Sequence, residues 1–189
     1  MHTSSIKKFL NTFIFFGLAF GLVCQPGLAQ SDSASSDDRN MTVDDLEAIV
    51  ANLDEEYFRE GGAMEFFYAD QRITIVTDSI ANRMRIIVPI IDADLLGEAE
   101  LYRLLQANFD SALDARYALA NGILWSTYIH PLSSLTATDF LSGIGQTINT
   151  AASFGSTYSS GELIYGGGDS DQIHQRELID RLLEEGRSI

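Results

Sequence analysis

The chain predicts an α+β fold: an antiparallel sheet with helices packed on it in the order α-β-β-β-α-β-β-α, followed by a C-terminal tail helix. Three observations predict it. Runs rich in β-branched and aromatic residues, separated by short polar breaks, lie between residues 64 and 90. Stretches with apolar residues at three- and four-residue steps flank them. Asn121-Gly122, between two further strand-like runs, signals a two-residue hairpin because both positions tolerate positive φ.

The N-terminus reads as an export signal. Lys7 and Lys8 precede an apolar run from Phe9 to Val23, and Pro26-Gly27-Leu28-Ala29 sets small residues for a cut between Ala29 and Gln30. The apolar run is shorter than the ~20 residues of a comfortable membrane span, so a membrane enters only if the segment stays uncleaved. Cys24 follows Val23, where lipoprotein processing needs a small residue, so lipidation is not expected. The expected compartment is the bacterial periplasm, or the medium if the protein is fully secreted. Gln30 to Asn40 has no large apolar residue and reads as a disordered leader.

Cleavage would leave 160 of the 189 residues with no cysteine, so stability must come from burial within one domain. It would also remove both lysines, leaving ten arginines against 27 acidic residues, a net charge of −17. That balance argues against nucleic acid, whose phosphates need clustered Lys and Arg, and against anionic lipid.

The first helix starts at Thr42, whose hydroxyl suits the free amides of the first turn, with Asp44 and Asp45 at the positive helix end. Val43, Leu46, Ile49, Val50 and Leu53 form its apolar face. Three strands follow over Met64–Ala69, Arg72–Thr77 and Met84–Ile90, with Pro89 expected near a strand end or an edge. The second helix spans Glu98 to Phe109, with Leu101, Tyr102, Leu104, Leu105 and Phe109 facing inward. The hairpin strands run from Asp114 to Leu119 and from Ile123 to Leu132. A third helix opens at Leu135 and Thr136, with Asp139 completing a capping-box pattern. Phe140, Leu141, Ile144, Ile148, Ala151 and Ala152 form its stripe, and Gly143 and Gly145 let it lie close on the sheet. Gln172 to Glu185 is a charged last helix with Ile173, Ile179, Leu182 and Leu183 along one side. The domain layout is therefore a signal peptide over 1–29, a leader over 30–40, the α+β domain over 41–155, a Gly/Ser-rich linker over 156–171, and an amphipathic helix and tail over 172–189.

Three local features resemble the type III secretion chaperone-like superfamily, which includes the Tir chaperone (CesT) and YbjN families. Leu104-Leu105-Gln106-Ala107-Asn108 looks like that group's second-helix end, Leu-Leu-x-x-Asn. Arg116 to Leu119 and Ile123 to Trp125 resemble its hairpin, and Pro131 to Thr136 its exit into a capped final helix. The resemblance is sharp from Leu104 to Phe140 and covers about Met41 to Phe154 in outline. It implies a small, often dimeric module that holds extended peptide segments of a partner, without catalysis or cofactor. Secretion chaperones work in the cytoplasm, whereas this chain carries an export pattern, so peptide binding is carried over as a mode and effector secretion is not.

The strands are more apolar than one buried face requires. Met84, Ile86 and Val88 alternate with Arg85 and Ile87, and Ile123, Trp125, Thr127 and Ile129 alternate with Leu124, Ser126 and Tyr128. If helices cover one face, Phe67, Val76, Ile87, Leu124 and Tyr128 are expected to form an apolar partner-binding surface on the other. A dimer or the last helix covering those residues is the alternative. The expected partner is a protein or extended peptide segment, with strand addition as one mode of binding.

No chemistry competes strongly. His130 and His174 lie apart and no Cys/His cluster exists, so no metal is expected. Asp169 and Asp171 beside the triple glycine lack the spaced ligands and terminal Glu of an EF-hand. The same glycines lack the Lys-Ser/Thr of a phosphate loop. Ser133 and Ser134 have no Gly-x-Ser-x-Gly elbow and read as a turn into a helix cap. Trp125 reads as core or interface, and carboxylate pairs such as Glu184 and Glu185 as solvated helix faces. The chain is thus expected to be an exported, non-enzymatic binding module with no cofactor. A structural or assembly subunit of the cell envelope, and a hydrolase without a recognisable motif, remain the other classes.

Overall fold

The computed structural model describes residues 41–110, 112–156 and 169–187. The expected export segment with its expected cut between Ala29 and Gln30, the expected leader over 30–40, and most of the Gly/Ser-rich stretch lie outside them. The chain runs α1 (Val43–Leu53), β1 (Phe58–Glu60), β2 (Ala63–Tyr68), β3 (Gln71–Asp78), β4 (Arg83–Asp92), α2 (Glu98–Asp110), β5 (Arg116–Ala120), β6 (Ile123–His130), α3 (Ala137–Ala152) and α4 (Asp169–Gly186). The strands form one antiparallel sheet in the order β1-β2-β3-β4-β6-β5. This is the predicted α+β architecture with one strand added, since β1 is three exposed residues and too short to show alternation.

Local chemistry sets the element ends. Thr42 caps α1 and Thr136 caps α3, each accepting from the amide three residues on, while Asp45 and Asp139 reach back to close a capping box. The β5–β6 hairpin turns at Asn121 and Gly122, both at positive φ. The β2–β3 hairpin turns the same way at Ala69 and Asp70, with φ of 49° and 60°. Alanine meets the Cβ clash of the left-handed region with no polar group to offset it, a strain of about 1 kcal/mol.

Side chains then sort by strand alternation. Met64, Phe66, Ile73, Ile75, Met84, Ile86, Val88 and Tyr128 point to one face and meet Leu46, Ile49 and Val50 of α1, Phe140, Leu141, Ile144 and Ile148 of α3, and Leu178 and Leu182 of α4. A smaller cluster near β5 joins Tyr117 and Leu124 to Leu104 and Ala107 of α2. All four helices thus cover the same face. Pro89 lies in a central strand, but β4 pairs with β3 only as far as Ile87, and its register with β6 shifts between Pro89 and Ile91. Its missing N–H therefore falls where β4 has lost a neighbour and a bulge interrupts the ladder.

Two glycines set how closely α3 packs. A Cβ on Gly143 would stand 2.7 Å from the ring of Tyr128, and one on Gly145 would stand 2.7 Å from Ile179 Cγ1. Gly143 thus seats α3 on the sheet, as the sequence suggests, whereas Gly145 makes room for α4. The tail helix buries Leu178 and Leu182 and only half-buries Ile179 and Leu183, a stripe rotated from the predicted one. Its end is tied down where Tyr68 Oη donates to Glu185 at 2.6 Å and Arg187 donates to Thr138 Oγ1 at 2.7 Å.

Replacing Ala69-Asp70 with Asn-Gly is expected to stabilise the protein by about 1 kcal/mol in urea unfolding; an unchanged midpoint would show that the turn holds no strain. Burial pushes the hydroxyls of both Tyr68 and Tyr128 up to about 12, helped by the hydrogen bond to Glu185 in the first case and by the charge of Asp139 in the second. The unfolded chain ionises these groups first, near their ordinary value of about 10. Their contribution is therefore intact below that value and lost as pH rises toward the folded value. Thermal melts across this window are expected to show a falling Tm, with a shallower fall in a Tyr68→Phe/Tyr128→Phe variant.

Candidate functional site

With every helix on one side, the other face of the sheet carries no layer among the described residues. Strand register arranges its side chains in rows, because residues directly opposite one another share a face. The middle row runs Phe58, Glu65, Thr74, Ile87, Thr127, Arg116. One flanking row holds Glu60, Ala63, Val76, Arg85 and Ile129. The other holds Phe67 opposite Arg72, and Pro89 opposite Trp125 and then Ala118.

Phe67 is 61 % exposed, Val76 41 % and Ile129 52 %. Phe67, Val76 and Ile87 stand on this open face, where the sequence pattern puts them. Leu124 and Tyr128 do not: they lie on the covered face, 1 % and 5 % exposed. Both alternating sets of β6 are apolar, so the strand alone does not reveal its phase. Pairing does, since Tyr128 is opposite Ile86 and Thr127 is opposite Ile87. Trp125, Thr127 and Ile129 therefore replace the expected pair. The indole of Trp125 donates to the Ala120 carbonyl at 3.0 Å, which lays the ring toward the hairpin turn. The Thr127 hydroxyl is buried and has no hydrogen-bond partner among the described residues.

A second apolar surface adjoins the first around β5. On α2 only Leu104 and Ala107 are buried, and Tyr102, Leu105 and Phe109, expected to face inward, are exposed. These three lie within an arc of roughly 60° of the helix. The full apolar sector of α2 is wider than one neighbour can cover. Between α2 and β5 opens a cleft of 340 Å³ lined by Leu101, Leu104, Leu105, Asn108, Ala118 and Leu119, among others.

Asn108 explains how this edge is closed. Its side-chain amide donates to the Tyr117 carbonyl at 3.0 Å and accepts from the Tyr117 amide at 2.8 Å. Those are the two backbone groups that an added strand would need at that position. The opposite edge, β1, offers three residues.

The remaining candidates take structural places. His130 Nδ1 lies 2.8 Å from the Pro131 carbonyl and its ring stacks with Tyr128. Ser133 is clamped by Asn82, which accepts from the Ser133 amide at 2.8 Å and donates to its hydroxyl at 2.9 Å. The side chains of Asp169, Asp171 and His174 fall outside the described residues. Among those described, no group of three or more His, Cys, Asp or Glu gathers to hold a metal ion, and no helix is long and apolar enough to cross a membrane.

No family model matches the chain, and no curated protein matches it. Solved structures do show similarity. The ExsC–ExsE complex gives a TM-score of 0.44 at 16 % identity, over 58 % of this chain and 90 % of that one. The HopA1–SchA chaperone–effector complex gives 0.42 at 12 %, over 60 % of this chain and 97 % of that one.

Asn108→Ala removes both bonds to Tyr117 and is expected to cost about 1–2 kcal/mol, with faster amide hydrogen exchange at Tyr117. Unchanged exchange there would show that Asn108 does not hold the edge.

Proposed function

We propose that the protein is a non-enzymatic, chaperone-like binding module that holds a segment of a partner protein against the open face of its sheet. The observation that carries this reading is the exposure of Phe67, Val76 and Ile129 together on one face while four helices cover the other. Exposed apolar side chains gathered on one sheet face mark an interaction site. Three rows across β2 to β5 span about 20 by 14 Å, on the order of 300 Å². A stable interface buries roughly 800 Å² on each partner. The bound segment therefore runs on around the β5 edge, where Ala118 belongs both to the open face and to the cleft under α2.

Docking on the face is favoured over strand addition. Asn108 already occupies the outward backbone groups of Tyr117, and β1 is too short to template a strand. The local resemblance of Leu104 to Phe140 to type III secretion chaperone-like sequences supports a peptide-holding role. The Lys7-Lys8, Phe9–Val23 and Pro26–Ala29 pattern supports an exported, periplasmic setting.

The test is capture of crosslinked partners from a periplasmic fraction by the wild type and by a Phe67→Asp/Val76→Asp variant. Both positions are exposed, so the variant is expected to keep its circular dichroism and melting point and to lose its partners. Capture of the same proteins in the same amounts by the folded variant would sink the reading. Leu124 and Tyr128 are unsuitable probes, because a charge at either buried site would unfold the core.

A further inference from the structure

The open face differs in charge from the rest of the molecule. The chain carries a net charge of −15. The three rows described above nevertheless contain three arginines, Arg72, Arg85 and Arg116, against two carboxylates, Glu65 and, at the β1 end of a flanking row, Glu60. Arg116 reaches the Ala115 carbonyl, and none of the three is ion-paired among the described residues. Beyond these rows the margin carries further acidic residues, Asp78 opposite Arg83 and Asp92 opposite Ile123. From strand spacing and rise, the three Cα positions lie roughly 12–16 Å apart in a triangle around Ile87 and Thr127.

We infer that the segment held on this face is acidic as well as apolar: an extended stretch of partner protein with Asp or Glu about every four residues between large apolar side chains. The inference rests on the reading that this face is the docking surface. An extended chain advances about 3.3 Å per residue, so the arginine separations correspond to four or five residues. Carboxylates at that interval meet guanidinium groups that bind them in a two-pronged geometry. The intervening apolar side chains meet Phe67, Val76, Ile87 and Ile129.

Other occupants fit less well. An anionic membrane would place its charge beneath Glu60, Asp78 and Asp92 as well as beneath the arginines, all within a screening length of about 8–10 Å. A narrow segment touches only the centre. The chain's own residues 30–40 supply Asp32, Asp37 and Asp38 but no large apolar side chain. A second copy stacked face to face would set arginine against arginine.

The experiment measures binding of the full chain to three labelled peptides by anisotropy. All share one pattern of Leu and Phe, with Glu, Gln or Lys at every fourth position. The Glu peptide is expected to bind about tenfold more tightly than the Gln peptide, as three exposed ion pairs would give, and the advantage is expected to shrink as salt is added. Arg72→Gln/Arg85→Gln/Arg116→Gln is expected to erase the difference between the Glu and Gln peptides. Equal binding of all three peptides, weakened in each case by Phe67→Asp/Val76→Asp, would overturn the charge preference and leave the docking face standing. Binding that ignores the Phe67/Val76 variant would overturn the docking face itself. Arginine-dependent adsorption to phosphatidylglycerol vesicles, with no preference for the Glu peptide, would assign the arginines to a membrane instead.

Discussion

The close approach of α3 to the sheet is the constraint on which the rest of the molecule depends. Gly143 leaves the space that the ring of Tyr128 fills, and a methyl group there would have to displace it. Once Tyr128 is held against α3, β6 has one phase. A slip of one residue would send every side chain of the strand to the opposite face. Thr127 then points away from the helices, and through its pairing with Ile87 and Arg116 it carries the same division to β4 and β5. The helix also anchors β5 with polar groups. Gln146 accepts from the amides of Asp114 and Ala115, and Tyr117 Oη donates to the Thr150 carbonyl at 2.8 Å. Glycines in the helix cost roughly 1 kcal/mol each in propensity, which the packing they permit offsets.

How far the fold is legible in the sequence depends on how local its causes are. The Thr42 cap, the Thr136–Asp139 capping box and the Asn121-Gly122 turn are short-range chemistry, and all three stand where the sequence indicates. The phase of β6 is not short-range. Leu124, Ser126 and Tyr128 look no more buried than Trp125, Thr127 and Ile129 until α3 lies across them. For that reason Phe67, Val76 and Ile87 are readable as one surface, while Leu124 and Tyr128 are misplaced by alternation alone. The stripe on α2 fails differently: Tyr102, Leu105 and Phe109 are apolar, but the helix meets the sheet along a narrower line than its apolar sector. A sector too broad for one neighbour was the available signal. Asn108 was visible only as part of a motif, and its role emerges when Tyr117 is seen to lie on the sheet edge.

A sheet face with no layer over it among the described residues must stay free of unwanted contacts if it is to hold a partner, and the charge on this one would serve that end. Arg72 and Arg85 are exposed on it, and Arg116 is half-buried with its guanidinium donating to the Ala115 carbonyl. Two copies meeting face to face would bring like charges together at the centre and acidic margins together at the rim. The high negative charge elsewhere opposes association by other routes. A wholly apolar face would be covered by any available hydrophobic surface, and a wholly charged one would lack the burial that holds a segment in place. A mixed face of this kind would disfavour both its own copy and an indifferent apolar surface. The same arginines that keep it open therefore define what can close it: a segment whose apolar side chains are interleaved with the opposite charge.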